Sequence, residues 1–464
     1  MLDRSDIQGL VFGGYARQPH SCVVLVRFGA GERVAWLRRL LPEVSSAERH
    51  ETHAPVRLNL AFTYRGLEQL GLEPSTLAGF AREFRQGMAH PERSRVLGDL
   101  GEDAPEHWEF HDRGEQGVDA ALLVYAESAP LLDAKLDALD AGFERFGLEA
   151  RELETYLPND GREHFGFRMA VSEPSIPGRR RRGQARVALG EFLLGQADAR
   201  GARAPSITAP NRRSTREPPH LVRKATEVDL AFNGSYLVLR KLEQRVGAFH
   251  RFLRDAALEC GEPFERLAAK LVGRWPNGAS LALYPGAPPA DAPRNERFGY
   301  RANDPLGHGC PLGAHVRRAN PRDALGDGDH ALRHRLLRRG RLYGPKLDDP
   351  FAADDAVERG LVFMALNADL ARQFETIQGS YLNLPSFDGL RNERDPLLGS
   401  DTRSIPGAQR RFTWPADPVR RVIPNLPRFV RVRGGSYFFL PSLGALRFLA
   451  DRGPTEREKL RPSS

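Results

Sequence analysis

Residues 310–322 read Cys310-Pro-Leu-Gly-Ala-His315-Val-Arg-Arg-Ala-Asn-Pro-Arg322, which places one histidine behind a Gly-Ala step and ahead of three arginines. Neutral imidazole is the commonest protein ligand for a transition metal. Arginine grips carboxylates through two hydrogen bonds at once. A metal and carboxylates occur together in haem, whose iron takes an axial histidine and whose propionates take arginine. Taken alone, however, such a segment more often holds a surface or structural histidine.

The order of residues in this segment closely resembles the proximal-histidine segment of the dye-decolorizing (DyP-type) haem peroxidases. Further stretches match that family in the same order along the chain: Leu58-Asn-Leu-Ala-Phe-Thr-Tyr-Arg-Gly-Leu67, Gly190-Glu-Phe-Leu-Leu-Gly195, Asn233-Gly-Ser-Tyr-Leu-Val-Leu-Arg-Lys-Leu242, Leu336-Leu-Arg-Arg-Gly340 and Leu361-Val-Phe-Met-Ala-Leu-Asn-Ala-Asp369. The resemblance runs from about Asp6 to about Pro441. It implies an α+β fold of two ferredoxin-like domains, at residues 1–215 and 216–464, with a haem b pocket in the second.

The hydrophobic pattern independently predicts strands mixed with helices. Apolar or alternating runs predict strands at residues 22–28, 57–63, 120–125, 235–240 and 361–366. Helical spacing predicts helices at residues 32–41, 132–143 and 246–257. Asp369 is the predicted N-cap of a further helix that continues through Ile377. Such a mixture is typical of α+β architecture.

Composition describes an ordinary globular protein that is long enough for two or three domains. The net charge is +8, but the arginines are scattered and do not alternate with aromatic residues, so we expect a solvated surface and no nucleic-acid partner. No run of about 18 apolar residues occurs, so no membrane span is expected. The three cysteines lie far apart, which disfavours a zinc site or a disulfide framework and fits a cytoplasmic location.

The resemblance assigns His315 as the axial ligand of the haem iron. Such a histidine usually donates its other N–H to an acceptor, and Glu375 matches the family's proximal carboxylate, with a surface glutamate as the alternative. Leu361 and Phe363 match positions where the family walls the distal pocket with apolar side chains; plain core packing is compatible with that role. The candidate partners of the haem propionates follow the histidine: Arg317, Arg318, Asn320 and Arg322.

On the distal side, Arg338 aligns with the family's distal arginine, although a slip of the alignment would substitute Arg335 or Arg339. A guanidinium in this position stabilises the negative charge that grows on the leaving oxygen as the peroxide bond breaks. Arg338 is therefore the predicted catalytic arginine.

The chain departs from the family in the distal motif, which reads Gly-Phe-x-Asp-Gly followed shortly by Pro. Here Phe165-Gly-Phe-Arg-Met169-Ala170-Val-Ser-Glu-Pro174 places Met169 at the position of the acid–base aspartate and Ala170 at that of its glycine. A thioether cannot accept or return the proton of hydrogen peroxide, and such assistance contributes about 10²–10⁴ in rate. His164 or Glu173 could replace the aspartate if the loop is rebuilt. Met169 itself could pack as an apolar side chain or ligate the iron.

The sequence therefore predicts a haem b peroxidase that uses hydrogen peroxide to oxidise a bulky organic electron donor, with weakened or altered activity. A non-catalytic haem-binding or haem-transfer protein is the alternative, because of the same Met169-Ala170 pair. A third reading, an interaction protein without haem, is opposed by the retention of His315 and Arg338. Members of this family often dimerise or assemble further, so a homo-oligomer is an open expectation.

Overall fold

The computed structural model describes residues 2–48, 54–114, 117–211, 222–224, 226–291, 296–326, 328–351, 355–400 and 410–451. The strands are β1 (His20–Phe28), β2 (Val56–Phe62), β3 (Ala120–Ala126), β4 (Leu148–Tyr156), β5 (Thr208–Pro210), β6 (Val222–Lys224), β7 (Glu227–Asp229), β8 (Ser235–Gln244), β9 (Leu337–Arg338), β10 (Arg341–Tyr343), β11 (Gly360–Asn367), β12 (Phe412–Trp414), β13 (Arg421–Ile423) and β14 (Val430–Leu440).

The helices are α1 (Arg33–Leu40), α2 (Tyr64–Gln69), α3 (Pro74–Leu77), α4 (Arg82–Gln86), α5 (Pro91–Leu97), α6 (Ala129–Phe146), α7 (Val246–Cys260), α8 (Phe264–Val272), α9 (Tyr300–Asn303), α10 (His315–Ala319), α11 (Gly328–Leu332) and α12 (Leu443–Ala450). A π-helix spans Ala371–Leu382. Short 3-10 turns occur at Gly9–Val11, Leu41–Glu43, Gly101–Asp103, Pro105–His107, Leu189–Glu191 and Phe387–Gly389. Within the described ranges, no helix has the length and apolar composition needed to cross a membrane.

Nine of the described strands form one antiparallel sheet in the order β10-β4-β1-β3-β2-β14-β8-β11-β9. Strand β10 also pairs with β11, with Arg341 opposite Val362, so the sheet closes into a barrel. The first half of the chain meets the second at β2 and β14, where Phe62 lies opposite Phe439, and again between β4 and β10. Closure satisfies strand edges that would otherwise be free to pair with another chain.

Each half of the barrel repeats one strand order. Strands β1 to β4 are arranged β4-β1-β3-β2, and the strands of the second half are arranged β14-β8-β11-β9. Both halves therefore place their fourth strand beside the first and their third beside the second, with helices between, as in a ferredoxin-like unit. The predicted α+β class of two ferredoxin-like domains is confirmed. The boundary predicted between residues 215 and 216 lies outside the described residues and stays a prediction.

Alternate residues of each strand belong to two different cores. Leu123, Leu237 and Met364 pack together on the inner face of the closed sheet. Leu122, which precedes Leu123, and Ala365, which follows Met364, pack instead on the face that carries the helices. The period of two in the sequence thus separates the barrel interior from the layer between the sheet and the helices.

The predicted strands and helices are confirmed as β1, β2, β3, β8, β11, α1, α6 and α7. Asp369 caps the following helix as predicted, because its Oδ1 accepts the backbone N–H of Arg372 at 2.9 Å. That helix is wider than an α-helix, since the N–H of Glu375 donates to the carbonyl of Leu370, five residues back, at 2.9 Å. Long π-helical stretches are rare and are often found at functional sites.

Candidate active site

His315 forms a close pair with a buried carboxylate. Its Nδ1 lies 3.0 Å from Oδ2 of Asp395, whose other oxygen accepts the backbone N–H groups of Leu397 and Leu398 at 2.9 and 2.7 Å. Burial alone would raise the pKa of Asp395, but the contact with His315 and the backbone hydrogen bonds lower it overall. An ionised acceptor assigns the proton to Nδ1 of His315 and leaves Nε2 available as a ligand atom.

The residues around His315 fix the start of helix α10. A Cβ at Gly313 would lie 2.4 Å from Oε1 of Glu393, so a larger residue would have to displace that buried carboxylate. Ala314 is fully buried. Nε of Arg318 donates to the carbonyl of Tyr381 at 2.8 Å, which joins α10 to the end of the π-helix. The Gly-Ala step and Arg318 therefore position His315, and Arg318 is not free to bind a propionate.

The prediction that Glu375 accepts the hydrogen bond of His315 is wrong. Glu375 lies on the π-helix, where Oε2 accepts from Nη1 of Arg93 at 2.7 Å and Oε1 accepts from the Tyr437 hydroxyl at 2.8 Å. The acceptor, Asp395, comes instead from the loop that follows the π-helix. In the sequence, Asp395-Pro-Leu-Leu indicates only a local turn, because an Asp side chain commonly accepts nearby backbone N–H groups, and nothing pairs it with His315.

Arg338 lies at the end of strand β9, opposite Ala365 of β11. Its Nε donates to Oε1 of Glu173 at 3.0 Å, and its Nη2 donates to the carbonyl of Ser172 at 3.3 Å. The side chain is nevertheless 44% exposed. The guanidinium is thus held from one side by the distal segment and remains accessible from the other.

Leu361 and Phe363 are half-buried although they lie on an interior strand of the sheet, β11. Val362 and Met364, which point to the barrel interior, are fully buried. The ring of Phe363 lies 6.3 Å from that of Phe374 on the π-helix. Two half-exposed apolar side chains beneath the π-helix form the kind of surface that binds an apolar ligand.

The distal segment keeps an unusual backbone conformation at the departure from the family motif. Ala170 has φ of 55°, in the left-handed region that favours glycine. The N–H of Met169 donates to the carbonyl of Gly161 at 2.8 Å, and its side chain is half-buried. The loop therefore holds a glycine-type turn without glycine.

The structure separates the two candidate substitutes for the aspartate. Glu173 contacts Arg338 directly. His164 is buried elsewhere, with Nε2 3.0 Å from the carbonyl of Tyr343, which pairs with Gly360. On β11, Gly360 lies five residues from Ala365, which pairs with Arg338, so the two positions are about 16 Å apart. The structure thus does not bring His164 to the distal arginine.

The predicted propionate partners Arg317 and Arg322 are engaged by other parts of the protein. Arg317 is 1% exposed, and its Nη1 donates to the carbonyls of Asp304 and Cys310 at 2.9 and 3.0 Å. Nη2 of Arg322 donates to Oε2 of Glu296 at 2.8 Å. Both Nη atoms of Arg317 are thus engaged within the protein, and its propionate role stays a prediction. Arg322 is likewise committed to a carboxylate of the chain.

Arg335, the alternative to Arg338 in the alignment, also lies on the distal side. Its Nη2 donates to the Ser172 carbonyl at 2.7 Å, the same oxygen that Arg338 contacts. Burial first, and then the positive charges of Arg322 and Arg338, lower the pKa of Arg335 to about 9. Arg335 therefore shares the distal side with Arg338, and burial together with its cationic neighbours disfavours its charge.

Comparison with known proteins decides the family. No protein-family model matches the chain. The chain is, however, 31% identical over 462 residues to the multifunctional dye peroxidase of Amycolatopsis sp., with 92% of each chain covered. The chain belongs to the dye-decolorizing peroxidase family.

Other relatives of this dye-decolorizing peroxidase agree. Peroxidase 2 of Mycetinis scorodonius is 30% identical over 483 residues, covering 96% of this chain and 87% of the relative. A solved dye-decolorizing peroxidase in complex with 2,6-dimethoxyphenol is 26% identical, with a TM-score of 0.77 and coverage of 97% and 100%. One from Auricularia auricula-judae is 25% identical, with a TM-score of 0.77 and coverage of 97% and 99%. This DyP-type peroxidase is thus an oxidoreductase that acts on peroxide.

The family implies haem, and the side chains of this dye-decolorizing peroxidase fit that cofactor. His315 offers Nε2 to iron because Asp395 holds the other ring nitrogen. Leu361 and Phe363 offer an apolar wall that is only half-buried. Arg338 adds a guanidinium that is nearly half exposed. These features would give haem a nitrogen ligand for its iron, an apolar surface for its ring and a positive charge beside it.

Proposed function

We propose that this chain is a haem b peroxidase that uses hydrogen peroxide to oxidise a bulky organic reductant, and that it activates peroxide more slowly than relatives with a distal aspartate. The observation that carries the proposal is the 3.0 Å contact between Nδ1 of His315 and Asp395. Such a pair fixes the ring and raises the basicity of an axial ligand. The complex of a relative with 2,6-dimethoxyphenol makes that phenol a suitable probe reductant.

Each side chain of the site has its own role in the proposed reaction. When haem is bound, its iron supplies the redox chemistry of peroxide cleavage and electron uptake. His315 holds the cofactor, and Asp395 keeps its ring in one tautomer. Arg338 places positive charge where the departing oxygen becomes negative. Met169 moves no proton, so the assistance worth about 10²–10⁴ in rate is missing at that position.

Removal of the imidazole tests the proposal. We expect His315→Ala, expressed and reconstituted with haem in the same way as the parent, to lose the Soret band and the peroxide-dependent oxidation of 2,6-dimethoxyphenol. His107→Ala, which removes an exposed histidine from a 3-10 turn, is the matched control and should keep both. Equal haem content in His315→Ala and the parent would sink the ligand assignment.

Met169 supports one second candidate function, that of a haem-binding or haem-transfer protein without turnover. The two functions differ in the response of the haem-loaded parent to hydrogen peroxide: a Soret band that changes indicates a peroxidase, and an unchanged band indicates binding alone. For the peroxidase we expect Met169→Asp to raise turnover of 2,6-dimethoxyphenol at least about tenfold, because it restores a proton acceptor. Met169→Leu, an apolar replacement of similar volume, should leave turnover at the parent's level.

We also infer a cytoplasmic location, because Cys22, Cys260 and Cys310 are all free thiols. Homo-oligomerisation stays a prediction from the family resemblance. Cell fractionation and the solution mass of the haem-loaded protein measure these two properties.

A further inference from the structure

Glu173 is a buried carboxylate in the distal segment, four residues after Met169. Its side chain is 5% exposed, and Oε1 accepts a hydrogen bond from Nε of Arg338 at 3.0 Å. Oε2 lies 3.5 Å from Nη1 of Arg339 but takes no hydrogen bond from the described residues. A buried acceptor without a hydrogen bond carries a free-energy cost, and among the described residues only the ion pair with Arg339 offsets it.

Four arginines lie near Glu173. Arg338 and Arg339 come from the strand region at β9, Arg335 precedes them, and Arg179 lies on the loop after the distal segment. Arg338, with nearly half of its side chain exposed, places this carboxylate next to the predicted peroxide position.

We propose that Glu173 performs the distal proton transfer in place of the aspartate that Met169 has replaced, an inference that rests on the haem site proposed above. The carboxylate takes the proton from one oxygen of hydrogen peroxide and returns it to the other. That oxygen leaves as water when the O–O bond breaks, and Glu173 ends as it began. The haem that His315 would hold would supply the two electrons for the cleavage and keep the second oxygen, so Glu173 itself only moves the proton.

Glutamine at position 173 separates proton transfer from positioning. In Glu173→Gln the amide oxygen can still accept the hydrogen bond from Arg338, but the side chain can no longer take a proton. The matched control is Glu191→Gln, which makes the same change in a buried carboxylate that pairs with Arg372 at 2.6 Å. A loss caused only by a weakened buried ion pair should occur in both variants.

The readout is the rate at which cyanide binds to the haem-loaded ferric protein at neutral pH. Hydrogen cyanide must give up its proton to bind as the anion, so the rate reports a distal base without peroxide turnover. We expect Glu173→Gln to bind cyanide about 100-fold more slowly than the parent, with unchanged haem content, and Glu191→Gln to match the parent. Adding Met169→Asp to Glu173→Gln should recover at least about tenfold of the rate.

The outcomes separate this inference from the proposed function. A parent chain that takes up no haem contradicts the proposed function itself. Haem-loaded Glu173→Gln that binds cyanide within about threefold of the parent overturns proton transfer by Glu173 alone. Glu173→Asp is the second variant if glutamine prevents folding: it keeps a carboxylate, so its rate should stay within about tenfold of the parent, and a loss of about 100-fold would overturn the inference.

Discussion

At the residue scale, Ala170 differs from the glycine of the family motif but keeps a glycine-type backbone conformation. Its φ of 55° is a conformation in which a Cβ crowds the following carbonyl, at a cost of roughly 1–2 kcal/mol for an L-residue. Glycine adopts it without that cost. The side chain at position 170 is exposed, so no packing contact compensates. The loop conformation is therefore imposed by its surroundings and retains strain at this residue.

This strain predicts a stabilising substitution. We expect Ala170→Gly to raise the free energy of unfolding by about 0.5–1 kcal/mol, because relief of the strain exceeds the entropy that glycine adds to the unfolded chain. Ala78→Gly is the matched control: Ala78 is also exposed but has φ of −63°, so the same substitution should destabilise by about 0.5–1 kcal/mol. Both are measured by chemical denaturation. A loss of stability in both variants would mean that residue 170 is not left-handed in solution.

At the scale of elements, regular strands could be predicted because their pattern depends only on neighbouring residues. The run at residues 361–366 indicated strand β11, and its alternation places Leu361 and Phe363 together on one face. The family resemblance located His315 at the start of α10 and Arg338 on β9. These predictions needed no knowledge of which elements pack together.

Partners that come from distant elements could not be predicted in the same way. Glu375 was expected beside His315, but the π-helix turns it toward Arg93. Asp395 reaches His315 from 80 residues further along the chain, through a loop without periodicity. Only the tertiary fold brings such groups together, so the sequence could indicate the ligand and not its partner.

At the scale of the whole molecule, the closed barrel joins the two halves of the chain through buried polar contacts. His164, which precedes the distal segment, contacts the Tyr343 carbonyl on β10, the strand that closes the sheet. Burial is the main cause that lowers the pKa of His164 to about 4. Its Nδ1 has no hydrogen-bond partner among the described residues, so protonation would create a buried N–H without an acceptor.

The lowered pKa of His164 predicts a contribution to stability that depends on pH. Between about pH 6.5 and the folded-state pKa of about 4, the unfolded chain binds the proton and the folded chain does not. The stabilisation is therefore fully present above pH 6.5 and is lost progressively toward pH 4, up to about 3 kcal/mol. Buried carboxylates with raised pKa values, such as Asp99 at about 6, act in the opposite direction. The parent's own pH profile thus mixes both signs.

A substitution isolates the histidine. His164→Gln keeps an N–H that can donate to Tyr343 but cannot be protonated, so we expect its free energy of unfolding to fall less than the parent's between pH 7 and pH 4.5, by about 2 kcal/mol. His107→Gln, at an exposed position, should follow the parent at both pH values. Guanidinium denaturation of the haem-loaded proteins gives the free energy of unfolding of each variant relative to the parent at each pH. If the free energy of unfolding falls equally in His164→Gln and in the parent, His164 is not held neutral in the folded protein. The pH dependence of stability would then come from other groups.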